Sequence, residues 1–220
     1  MADSTNIGIW PPHEVFYIES LLHSTGAALR AAEDVRTALN EGSHFEPTSA
    51  EWQQHAFNIL SGVQSLVLQA GSISRFFWPA RAKEPHASRA LRLRTSLSIG
   101  DDSALKNRAL RNRLEHLDEH LDTFCGGLIA GVILPSYVGP SAPASDVPTH
   151  VFRAYFTDIG VFEILGDRFA IQPIYDEIDR LHDLLVECIE SGGRLPPPAW
   201  GRRRSTSIPL SRPRAAAAER

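Results

Sequence analysis

Residues 110–124 read Leu-Arg-Asn-Arg-Leu-Glu-His-Leu-Asp-Glu-His-Leu-Asp-Thr-Phe. Leu110, Leu114, Leu117, Leu121 and Phe124 recur at steps of four, three, four and three, the spacing of one apolar stripe along an α-helix. That stripe is expected to be core. The other positions are polar and form a dense grouping: Arg111 and Asn112, then Glu115, His116, Glu119, His120 and Asp122. Asn112 and His116 are four residues apart and share a face. Arg111 and His116 diverge by about 140° around a straight helix, so the arginine must use its length to reach round.

Upstream, Asp101, Asp102 or Ser103 can cap this helix, and the acidic pair suits its N-terminal dipole. Two long helices precede it. Trp10-Pro11-Pro12 places proline at a helix start, and Val15, Ile18, Leu22, Leu29, Ala32, Val35 and Leu39 keep helical spacing up to Gly42. Thr48-Ser49-Ala50-Glu51 is a capping-box pattern, followed by the stripe Trp52, Ala56, Ile59, Val63, Leu66, Ala70 and Ile73, with Pro79 as terminator. Between them and the 110–124 stretch, residues 88–97 can form a short basic helix carrying Arg89, Arg92 and Arg94.

Downstream the texture changes. Residues 126–150 are rich in glycine and proline and read as a surface excursion. Residues 151–156 and 161–165 are β-branched and aromatic, and Gly166-Asp167 reads as a turn into 168–171, so a small β-hairpin is expected at about 150–171. Pro173 opens a last helix with Ile174, Ile178, Leu181, Leu185 and Cys188 on its buried side, closed by Gly192-Gly193. The expected fold class is therefore all-α, a four-helix up-down bundle with a small β-hairpin insertion before the last helix. The expected domain is 1–193; residues 194–220 turn to proline, arginine, serine and alanine and read as a disordered tail.

The chain has 220 residues, 43% hydrophobic and 22% charged, enough for one domain with a real core. Its formal charge of −4 argues against a surface coated for nonspecific nucleic-acid binding, so any RNA contact must be local. Cys125 and Cys188 are the only cysteines, too few for a disulfide scaffold, which fits a reducing cytoplasm. No signal peptide and no membrane-spanning apolar run is visible.

Arg111-Asn112, then His116, then Asp118-Glu119, resembles the Arg-x(4–6)-His signature of the HEPN domain superfamily, helical bundles that include many metal-independent ribonucleases. The match is most specific over residues 110–122, and the helical layout extends it in outline to 12–190. The resemblance implies an endoribonuclease needing no metal or cofactor, with Arg111, Asn112 and His116 catalytic. It also implies a homodimer in which two copies of the motif share one cleft, because a single histidine does not readily serve as both acid and base in one step. RNA would be the substrate, cleaved by its own 2′-hydroxyl to a 2′,3′-cyclic phosphate and a 5′-hydroxyl. A setting in host defence or a toxin–antitoxin pair, with an antitoxin or regulatory protein as partner, belongs to the same expectation. One departure bears on it. Some HEPN toxins have a tyrosine two residues after the histidine, which the antitoxin modifies; here that residue is Asp118.

Two other readings compete. A catalytically silent HEPN-like module would bind or regulate without cleaving. His116-Leu117-Asp118-Glu119-His120 is also a literal H-x-x-E-H string, the inverted zinc-protease pattern, in which two histidines one turn apart share a metal ion. That chemistry needs a further glutamate on a second helix and a strand beside the cleft, and the sequence identifies neither. Arg81 to His86 repeats the Arg-x(4)-His spacing around Pro85 in an expected loop, so the spacing alone is not specific. Phe76-Phe77-Trp78 is expected to pack the end of the second helix.

Overall fold

The computed structural model describes residues 8–46, 49–81, 83–107, 109–127, 130–141 and 147–197, without the side chains of Leu110 and Arg111. Thr48 of the expected capping box and residues 198–220 of the expected tail lie outside the described residues. The elements run α1 (Glu14–Gly42), α2 (Ala50–Phe77), α3 (His86–Ser96), α4 (Ala109–Glu115), α5 (Leu117–Gly126), β1 (Val132–Leu134), β2 (Tyr137–Gly139), β3 (Thr149–Val151), β4 (Arg153–Phe156), β5 (Val161–Ile164), β6 (Asp167–Ala170) and α6 (Gln172–Glu190). They fall into two compact units. The first takes residues 8–29, 67–107 and 174–197 of those described, the second 30–66 and 109–173.

In the first unit a 3-10 turn at Pro11–His13 leads into α1, as proline at a first helical position favours. Ile18, Leu21 and Ala28 of α1, Ile73 and Phe77 of α2, Leu93 of α3 and Ile178, Leu181 and Leu185 of α6 are buried there. Thr25 interrupts the α1 stripe, and its hydroxyl is matched by His182 Nδ1 at 2.8 Å and the Leu22 carbonyl at 3.1 Å, so a polar group survives burial by being bonded. Glu14 is 2% exposed and is held by Arg92 of α3 and the Leu195 backbone amide. The guanidinium of Arg89 lies over the Phe76 ring and that of Arg94 over Trp78, so α3 covers the aromatic cluster that ends α2. Gly192 and Gly193, at φ of 90° and 71°, close α6, with the Gly193 amide reaching back to the Cys188 carbonyl.

In the second unit Ser49 caps α2, its hydroxyl accepting from the Trp52 amide at 3.1 Å. Ala31, Val35 and Leu39 of α1 and Ile59, Val63 and Leu66 of α2 are buried. Gly62 allows the two helices to approach closely, because a Cβ there would stand 2.5 Å from Val35 Cγ2. The four-stranded sheet has the order β2-β4-β5-β6, with β2 parallel to β4 and the remaining pairs antiparallel; β1 and β3 form a separate parallel pair. Leu165 and Gly166, at φ of 52° and 83°, make the β5–β6 turn, one residue earlier than the sequence suggests.

The all-α expectation is therefore wrong. The chain is mixed α/β, with six helices and six strands among the described residues, where the sequence suggests a four-helix up-down bundle carrying one hairpin. The reason is local. Val132-Ile133-Leu134 and Tyr137-Val138-Gly139 are three-residue strands, too short to show period-two alternation, and glycine and proline around them read as loop. Their partners, β3 and β4, are supplied by distant sequence.

Candidate active site at the α4–α5 corner

The 110–124 stretch is two helices. α4 ends at Glu115, His116 takes φ −115° and ψ 39°, and α5 starts at Leu117. The segments stay linked through that residue: the His116 amide donates to the Asn112 carbonyl at 3.0 Å, and the His120 amide donates to the His116 carbonyl at 3.1 Å. The expected stripe is correspondingly weak. Leu114 is buried at 8% exposure, Leu117, Leu121 and Phe124 are half-buried, and the side chain of Leu110 lies outside the described residues.

Asn112 and His116 are both exposed, one backbone turn apart. Among the described residues the His116 imidazole has no hydrogen-bond partner. Asn112 is engaged in an interaction of its own. Arg111 belongs to α4, but its side chain lies outside the described residues, so the structure brings together two members of the expected triad and leaves the third undetermined. Arg113 is the arginine of α4 whose bond is seen: it pairs with Asp167 at the start of β6 and ties the short helix to the sheet. Glu115, Asp118, Glu119 and Asp122 are all exposed along α4 and α5. His120 is half-buried, and among the described residues no group of three or more His, Cys, Asp or Glu side chains is placed to hold a metal ion.

A second feature of this unit escaped the sequence reading. One side of the first half of α2 and residues 135–138 and 152–153 line a cavity of about 690 Å³. Phe57, 65% exposed on α2, borders it. The signal was there in principle: Phe57 is an aromatic residue off the buried stripe of its helix, and Tyr137-Val138 is a β-prone pair inside the glycine- and proline-rich stretch.

Among the described residues no helix is long and apolar enough to cross a membrane. Comparison with known proteins returns no match: no family model fits the chain, and no curated protein and no solved structure is significantly similar to it.

Proposed function

We propose that the α4–α5 corner is half of a metal-independent endoribonuclease site of HEPN type, completed by the same corner of a second copy. The observation that supports it is the exposed His116 imidazole, without a hydrogen-bond partner among the described residues, on a backbone bonded on both sides and one turn from Asn112. Histidine titrates near neutral pH, with an ordinary pKa of about 6.5, so one imidazole can accept a proton while its twofold mate donates one. The first removes the proton from a ribose 2′-hydroxyl. That oxygen attacks the adjacent phosphorus, the P–O5′ bond breaks, and the second imidazole protonates the departing 5′-oxygen. The products are a 2′,3′-cyclic phosphate and a 5′-hydroxyl. Arg111 would stabilise the charge on the phosphorane, since its planar fork matches two phosphate oxygens at once. Asn112 would orient the imidazole or donate to the phosphate.

Incubation of the purified chain with total RNA in EDTA, beside His116→Ala, tests this. Loss of a general acid–base residue is expected to slow cleavage by about 10²- to 10⁴-fold. The variant should melt within about 0.5 kcal/mol of wild type, because the side chain is exposed and makes no cap bond. A substrate lacking the 2′-hydroxyl should resist cleavage. Equal cleavage by the His116 variant rejects the assignment.

The silent binding module remains a second reading, favoured by one observation. The exposed carboxylates Glu115, Asp118, Glu119 and Asp122 flank His116 and oppose the approach of a polyanion. It expects no cleavage of any RNA pool and a dimer that persists. Antitoxin control by modification of a tyrosine at position 118 is not open to this chain, because Asp118 stands there.

A further inference from the structure

The cavity of the second unit has a helical wall and a sheet wall. On α2, Trp52, Ala56 and Leu60 form one row at steps of four and Gln53, Phe57 and Ser61 the next, so one side of the helix faces the space. On the other side stand Tyr137 of β2, Arg153 at the start of β4 and Phe152 just before it. Two of the rings, those of Trp52 and Tyr137, are held in place. A Cβ at Gly42 would lie 2.9 Å from the Trp52 ring, so the indole packs on the end of α1. The Tyr137 hydroxyl donates to the Pro140 carbonyl at 2.8 Å, and its ring centroid lies 6.0 Å from that of Phe156. Aromatic walls fixed before binding suit a flat apolar ligand.

Arg153 adds the charge. Its guanidinium carbon lies 5.1 Å from the Phe152 ring centroid, and its Nε is buried with no hydrogen-bond partner. Among the described residues no carboxylate pairs with it. Arg153, Ile164 and Asp167 are aligned across β4, β5 and β6, so the acid on that face stands two strands away, about 10 Å, and is already bonded to Arg113. Glu163 alternates to the opposite face, where Arg168 binds it. Burial accordingly holds the Arg153 guanidinium below its ordinary pKa. A partly desolvated cation without a counter-ion among the described residues, in a cavity lined by four aromatic rings, is unfavourable alone and complementary to an anion with an aromatic body.

We infer that this cavity binds a small planar aromatic anion, its ring between Phe57, Trp52 and Tyr137 and its acid group on Arg153. The site does not depend on the RNA-cleavage reading, and either can fail alone.

The probe is 8-anilinonaphthalene-1-sulfonate, an aromatic sulfonate whose fluorescence rises on leaving water, titrated beside N-phenyl-1-naphthylamine, which has the same rings and no charge. One sulfonate per chain is expected. Arg153→Met should weaken it about tenfold or more and change the neutral probe by less than about twofold. Phe57→Ala, at a side chain that folding leaves largely in water, should weaken both by about tenfold. Displacement by indole-3-carboxylate points to a free aromatic acid, and displacement by adenosine monophosphate to a nucleotide. Binding of several sulfonates per chain, unmoved by either substitution, or displacement by neither competitor, overturns the inference. Should Arg153→Met not fold, the wild-type preference for the charged probe and its loss of affinity in Phe57→Ala decide the matter.

Discussion

Glu14 opens α1, and three donors converge on its carboxylate. Arg92 gives Oε1 two hydrogen bonds, from Nη2 at 2.8 Å and Nε at 3.3 Å, and the Leu195 amide gives Oε2 one at 3.0 Å. Replacing Glu14 with alanine strands all three. The Leu195 amide belongs to a residue only 5% exposed, and leaving such a group unsatisfied costs roughly 1–3 kcal/mol. Removing one partner of a fully buried ion pair costs about 3–5 kcal/mol. Here the Arg92 side chain is 20% exposed and can turn its head to water, so its share is smaller, roughly 1–2 kcal/mol. Glu14→Ala is therefore expected to destabilise the chain by roughly 2–5 kcal/mol, or about 4–20 °C in Tm for a protein of this size. Glu14→Gln, whose amide oxygen satisfies one donor side while its NH2 opposes the other, should fall about midway. Thermal and urea denaturation followed by circular dichroism measures both, and the Glu14→Ala, Arg92→Met double-mutant cycle isolates the pair. A Glu14→Ala variant within about 0.5 kcal/mol of wild type, or strict additivity in the cycle, would refute the reasoning.

Two further substitutions probe packing and ionisation. Gly62→Ala improves helix propensity by about 1 kcal/mol, but its Cβ would stand 2.5 Å from Val35 Cγ2 and 3.1 Å from the Ala31 carbonyl oxygen, and overpacking of that kind costs about 1–3 kcal/mol. Its Tm should fall in the wild-type background and rise when Val35→Ala is already present. Burial, with the charges of Glu187 and Glu14 adding to it, pushes the Cys188 thiol up to about 11 from 9.0. The native thiol thus keeps its proton while the unfolded one releases it, so stability declines as pH rises from about 9 to 11, by at most roughly 3 kcal/mol. Burial raises Tyr155 in the same sense, and urea melts of Cys188→Ala across this window should show a shallower decline than wild type.

The helices with long, clean stripes were legible. Ile18, Val35 and Leu39 of α1, Ile59, Val63, Leu66 and Ile73 of α2, and Ile178, Leu181 and Leu185 of α6 are all buried as their spacing requires. Pattern over many residues survives tertiary context. The strands of β4, β5 and β6 were legible as β structure for the same reason, in short form. What failed was set by partners distant in sequence. β1 and β2 acquire strand character only when β3 and β4 pair with them, and nothing within three residues announces a partner. The apolar series Leu114, Leu117, Leu121 and Phe124 has perfect helical spacing, yet only Leu114 is buried. Periodicity states which side would face a core and cannot supply one. The cavity left only a faint trace, Phe57 off the stripe and the Tyr137-Val138 pair, and was masked for a similar reason, since Trp52 and Ala56 continue the α2 stripe in sequence but border open space instead of core. Thr25 is the converse case: a polar residue in an apolar stripe, made tolerable by His182.

The interruption at His116 bears directly on the proposed chemistry. Neither proline nor glycine stands there, so local sequence does not force it. α4 has seven residues and α5 ten, and isolated helices shorter than about 12–15 residues are marginal in water, so tertiary ties must fix their directions. Arg113 on Asp167 and buried Leu114 provide them for α4, and the edge-on contact of Phe124 with His150 provides one for α5. Between two anchored helices the backbone of His116 is determined while its imidazole remains in water. Water is a poor surrounding for proton transfer to a developing alkoxide, because it competes for the proton and weakens every electrostatic contact with the phosphate. A nuclease built on this corner therefore needs a second surface that covers it, and the same corner of another copy would supply both the cover and the missing second imidazole. Without that cover, the exposed carboxylates beside His116 would dominate what an approaching phosphate meets.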